Sequence, residues 1–147
     1  MIAYLLGNIL HIEGILLSVP VLVAFYYKEE FTATAFIASA IFCLVAGAIL
    51  QCREPKDKRI YGREGFIVAA LSWIVMSFFG AMPYYLTKSI PGFINCYFET
   101  VSGFTTTGAT VLMEIEHLDN AILFWRCFTH WIGGMGILVF MLDTLYG

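Results

Sequence analysis

Residues 102–112 read SGFTTTGATVL. The stretch is rich in threonine and glycine, bears no charge and lacks a helical period. Strongly apolar sequence lies on both sides of it. Either it is a surface turn, or it is backbone that faces something other than lipid. Irregular backbone at membrane depth is tolerated only when it is buried in protein or lines a water-filled path. What surrounds the stretch therefore decides the fold.

The chain has 147 residues, of which 60% are hydrophobic and 13% charged. Its mean hydropathy is +0.81. Soluble domains carry about 25% charged residues, so a soluble core of this size has too little polar surface to cover it. The membrane class comes first. The net charge of −3, with no basic patch interleaved with aromatics, excludes a nucleic-acid partner. The four cysteines, Cys43, Cys52, Cys96 and Cys127, lack metal-ligand spacing and read as reduced and structural. No HExxH, GxSxG or Walker lysine is present, so no enzyme is expected.

Four segments have the length and character to reach through a bilayer: about Ile2 to Tyr26, Phe31 to Leu50, Phe66 to Leu86 and Ala121 to Leu142. The first lacks the basic start of a signal peptide and is too long for one, so it reads as a retained helix. Pro83 kinks the third or marks its exit. Between the second and third lies QCREPKDKRIYGRE, with five of the eight basic residues: Arg53, Lys56, Lys58, Arg59 and Arg63. The positive-inside rule makes this loop cytoplasmic. The N-terminus is then cytoplasmic, and residues 87–120 lie outside. Within them, Phe93 to Phe104 is apolar but too short to span, the length of a re-entrant half-helix. Pro91 and Gly92 are its start signals, with Asn95 as a cap.

The expected fold is an all-α polytopic membrane protein. Residues 1–62 form two N-terminal transmembrane helices with the basic loop. Residues 63–147 form one helix–pore loop–helix unit with a re-entrant half-helix. In that setting Thr105, Thr106, Thr107, Gly108, Ala109 and Thr110 have the properties of a filter strand. Carbonyl rings replace the hydration shell of potassium. The strand needs small side chains, no fixed charge, and a glycine whose dihedrals let successive carbonyls face one way. TTTGAT has all three.

The runs YFETVSGFTTTGATVL and FWRCFTHWIGGMGILVF resemble the first pore repeat of the Trk/Ktr/HKT superfamily of potassium transporters, TrkH-type. The resemblance implies potassium uptake across the bacterial cytoplasmic membrane through four such units in one chain. This sequence resembles an extra leading helix pair plus the first unit, as of a truncated product or fragment. The resemblance places potassium on the backbone carbonyls of Thr106, Thr107, Gly108 and Ala109, with no other cofactor. Against the TVGYG strand of tetrameric channels, Thr110 stands at the second glycine, which implies a looser filter. It further implies a homodimer of full-length chains and a cytoplasmic nucleotide-binding regulatory subunit. The partners are thus the lipid bilayer and either the remaining three pore repeats or further copies of the chain. Two other readings stay open: a self-sufficient homotetrameric cation channel, and a non-conducting membrane interaction protein or remnant.

Supporting residues follow. Glu99 and Arg126 either pair behind the filter or reach interfacial water separately. Glu114, Glu116 and Asp119 form an acidic outer mouth or an ordinary solvated loop. Gly133, Gly134 and Gly136 let helices approach closely. Tyr84 and Tyr85 suit the outer interfacial belt. His11 and Glu13 make polar contact with a neighbouring helix, and His130 is a packed residue.

Overall fold

Two prolines bend apolar runs that would otherwise be single straight helices. A proline supplies no N–H to the carbonyl four residues back and crowds it. Pro20 divides the first run into α1 (Ile2–Leu16) and α2 (Ser18–Tyr26). Pro83 divides the third into α4 (Gly62–Gly80) and α5 (Met82–Leu86). The others are α3 (Glu30–Gln51), α6 (Phe93–Phe104) and α7 (Asn120–Tyr146). The structure, a computed structural model, describes residues 2–52 and 62–146, with the backbone course alone at 62–64, 137 and 139–146. The basic residues Arg53, Lys56, Lys58 and Arg59, and the side chain of Arg63, lie outside the described residues. All regular structure among those described is helical.

Residues 2–26, 30–51 and 65–86 are each long and apolar enough to cross a membrane. The 27 residues of α7 reach about 40 Å at 1.5 Å per residue. Ile15, Leu22, Ile41, Val45 and Ile49 are all more than half exposed. That outward apolar surface suits hydrocarbon, not water. Within the bundle, α1 packs chiefly on α3. The approach is backbone to backbone: a Cβ at Gly7 would lie 2.8 Å from the Gly47 carbonyl oxygen. Asn8 accepts a 2.6 Å bond from Gln51 at one end of this pair.

The half-helix α6 has the bounds its composition implies. Its N-cap is Gly92, at φ +81, and no side chain caps it. Asn95 instead donates to the Pro91 carbonyl at 2.8 Å. It therefore steadies the entry turn without being the cap. Beneath α6 sits Trp125 of α7, fully buried, whose indole N–H donates to the Gly80 carbonyl at 3.0 Å. Phe36 and Phe104 meet it edge-on. Tyr84 is also fully buried, so it is not at the interfacial belt, whereas Tyr85 is half exposed.

Glu29, in the link between α2 and α3, reaches 91 positions along the chain. Its carboxylate accepts from the Asn120 backbone N–H at 2.8 Å and from the Ala121 N–H at 3.1 Å. These are orphan donors of the first turn of α7, where the helix dipole also favours an anion. The contact sets the α2–α3 link and the start of α7 at the same end of the bundle. Glu29→Ala is expected to cost about 1 kcal/mol. Hydrogen exchange at the Asn120 and Ala121 amides should accelerate, with little change in the α1–α3 contact. Unaltered exchange there would contradict the capping role.

Candidate functional site

At its C-terminal end α6 does not simply fray. The Thr106 N–H bonds the Gly103 carbonyl at 3.0 Å, and the Thr107 N–H bonds the Ser102 carbonyl at 2.9 Å. This pair of bonds is the Schellman closure, which requires a left-handed residue at the position after the cap. That residue is Thr106, at φ +56. Glycine is usual there, and a β-branched residue pays a conformational cost. Two residues on, Gly108 has φ +78. The loop thus alternates, with left-handed backbone at 106 and 108 and ordinary dihedrals at 107. Among the described residues it contains no strand; 105–106 form a turn and 107–110 are irregular.

Fixed contacts line the rear of this loop. The Ser102 hydroxyl donates to the Ala109 carbonyl at 2.6 Å. Glu99, whose side chain is 1% exposed, accepts from the Thr110 hydroxyl at 3.0 Å and the Val111 N–H at 3.1 Å. Arg126 closes the group from α7, its Nε 2.6 Å from Glu99 Oε1. The Thr105 hydroxyl donates back to Val101 at 2.7 Å. On the front, Thr105 to Thr110 are all exposed. Among the described residues, the carbonyl oxygens of Thr105, Thr106, Thr107 and Gly108 accept no hydrogen bond. Four adjacent free carbonyls on an uncharged, rear-pinned loop are the type of donor that coordinates a hard monovalent cation. The negative end of the α6 dipole lies where the loop begins, which favours positive charge there.

The other anticipated residues divide. Glu99 and Arg126 come together. Of the acidic residues, Glu114 is exposed and 3.6 Å from His117, and Glu116 is exposed. Asp119, exposed like them, also accepts a hydrogen bond from Thr32 and so ties α3 to the start of α7. Of the glycines, Gly133 is buried with a Cβ position 2.0 Å from the Phe104 carbonyl oxygen. Gly134 and Gly136 have only ordinary neighbours at 3.5 Å or more. His130 bonds the Arg126 carbonyl of its own helix at 2.9 Å. His11 likewise turns to Gly7 of its own helix, while Glu13 is fully buried and faces Cys43 of α3 at 3.8 Å. The four cysteines are unpaired, with Cys43 and Cys96 buried. The sequence reading missed Ser102, although its place in the last turn before the loop was a signal. It also missed Glu29, for which no local pattern exists.

A spanning helix, a half-helix, an irregular loop and a second long helix define a multi-pass helical membrane protein with a helix–pore loop–helix unit. The chain belongs to the TrkH family of cation transport proteins, which matches residues 30–144. It is 39% identical over 138 residues to an uncharacterized cation transporter of Methanocaldococcus jannaschii, covering 94% of this chain and 29% of the relative. It is 40% identical over 133 residues to the Trk system potassium uptake protein TrkH of Escherichia coli K12, covering 86% of this chain and 26% of the relative. The crystal structure of the potassium transporter TrkH from Vibrio parahaemolyticus superposes with a TM-score of 0.91 at 31% identity, covering 98% of this chain and 31% of that one. The chain thus spans less than a third of the length of these relatives.

Proposed function

We propose that this chain takes part in potassium uptake by supplying one strand of a carbonyl-lined filter. The observation that carries this reading is the run of four unbonded carbonyls at 105–108, exposed in front and pinned behind. One such strand touches an ion from one side only, so further strands must complete the ring. The matched relatives are about three times longer or more, which favours further repeats of a TrkH-type polypeptide over four copies of this chain. Residues 1–62 act as a leading helix pair and residues 63–147 as the pore unit. The N-terminus and the basic segment at 53–63 face the cytoplasm, and the loop opens outward. A homodimer and a cytoplasmic nucleotide-binding regulator are the partners of the assembled protein.

The test is a chimera in which this chain replaces the matching part of the Vibrio TrkH, expressed in a host lacking potassium uptake. Growth at low potassium is the expected result. Gly108→Ala should then impair uptake or ion preference without a clash, because no described residue beyond its chain neighbours lies within 4 Å of the added Cβ. Its effect is conformational, about 1–2 kcal/mol for a left-handed alanine. A chimera that grows equally well and with equal preference after this change would overturn the filter reading.

A further inference from the structure

A carbonyl that is already hydrogen-bonded is a poorer cation ligand than a free one. Ala109 has such a carbonyl. Its partner, the Ser102 hydroxyl, is 2.6 Å away, and Ser102 itself is only 4% exposed. The backbone carbonyl of the same serine holds the Thr107 N–H at 2.9 Å. One residue therefore grips the loop on both sides of Gly108, whose φ of +78 lets the chain double back between the two contacts. Beyond Ala109 the loop passes to Glu99, which holds Thr110 and Val111. Among the described residues, the uninterrupted run of free carbonyls that starts at Thr105 therefore ends at Gly108.

We propose that Ser102 is a positioning residue for ion selection. It turns the Ala109 carbonyl toward α6 and so limits the coordinating run to Thr105–Gly108. This rests on the filter reading of the loop. Without the hydroxyl, the Ala109 carbonyl is released and the loop gains freedom around Gly108. The added oxygen and the looser cage accommodate ions of other radii, and discrimination falls. The serine acts through the carbonyl and does not itself touch the ion.

The experiment uses the TrkH chimera and compares rubidium uptake, as a potassium probe, with sodium uptake at matched protein levels. Ser102→Ala should lower the preference about fivefold, equivalent to about 1 kcal/mol at 1.4 kcal/mol per tenfold, the worth of one hydrogen bond. Ser102→Thr, which keeps the hydroxyl, should retain most of the preference. Gly108→Ala serves as the control for the loop itself. If Gly108→Ala shifts the preference and Ser102→Ala does not, the role of Ser102 is overturned while the filter reading stands. If neither shifts it although uptake persists, the filter reading fails and takes the inference with it. Lower uptake with unchanged preference, or equal loss in the alanine and threonine variants, assigns Ser102 to structure alone and also overturns the proposal.

Discussion

Glu99→Ala should abolish potassium uptake by the TrkH chimera and lower the stability of the pore unit by about 3–5 kcal/mol, the range for breaking one partner out of a buried ion pair. The carboxylate is almost fully buried and has partners on two elements: Arg126 of α7, and Thr110 and Val111 of the loop. Every one of those partners is a donor. Glu99→Gln therefore fares poorly too, because an amide presents its own NH2 to a site that needs acceptors. The same reasoning sets the outcome of charge reversal. A simple pair would be restored by Glu99→Arg with Arg126→Glu. Here the arginine at 99 has no acceptor for the Val111 amide, so the exchange should leave uptake lost. Restoration would show that pairing alone matters and that the hold on the loop does not. Thermal unfolding in detergent, read beside uptake, separates loss of fold from loss of loop geometry.

Whatever depended on local period and composition was legible in the sequence. The half-helix at 93–104 followed from an apolar run too short to span, opened by Pro91 and Gly92. The special backbone at Gly108 followed from the chemistry of a carbonyl-bearing strand. What escaped was what the chain settles through distance. Asp119 lies close in sequence to Glu114 and Glu116, and its bond to Thr32, 87 positions away, has no local signal. Glu29 sits in a short polar link, and nothing local announces that it satisfies the open N-terminus of α7. Tyr84 and Tyr85 are adjacent and identical, so composition treats them alike, while helix rotation buries one and exposes the other. Thr106 shows the limit at the site itself. Its left-handed φ arises from the closure of α6, and no propensity scale would place a β-branched residue there.

Gly133→Ala should be the most damaging single-methyl change in α7, and the two neighbouring glycines should tolerate the same change. A Cβ at 133 would sit 2.0 Å from the Phe104 carbonyl oxygen and 2.7 Å from its carbon. Backbone cannot swing aside as a side chain can, so α6 and α7 must separate. Phe104 is fully buried and ends α6, one residue before the loop. Any shift there passes directly to Thr105. Overpacking of this kind costs about 1–3 kcal/mol and sometimes more, and the loss of uptake should exceed what that figure alone would give, because the displaced atoms position the loop. Among the described residues, the neighbour within 4 Å of an added Cβ is the Thr106 methyl at 3.9 Å for Gly134 and the edge of Trp73 at 3.5 Å for Gly136. Alanine there adds helix propensity of up to about 1 kcal/mol without collision. Uptake by the three chimeric variants, with their unfolding midpoints in detergent, checks the ordering. A generic small-residue face would make the three variants alike. A single backbone contact between α7 and the end of the half-helix makes Gly133 stand apart, since it alone faces the carbonyl on which the geometry of the loop begins.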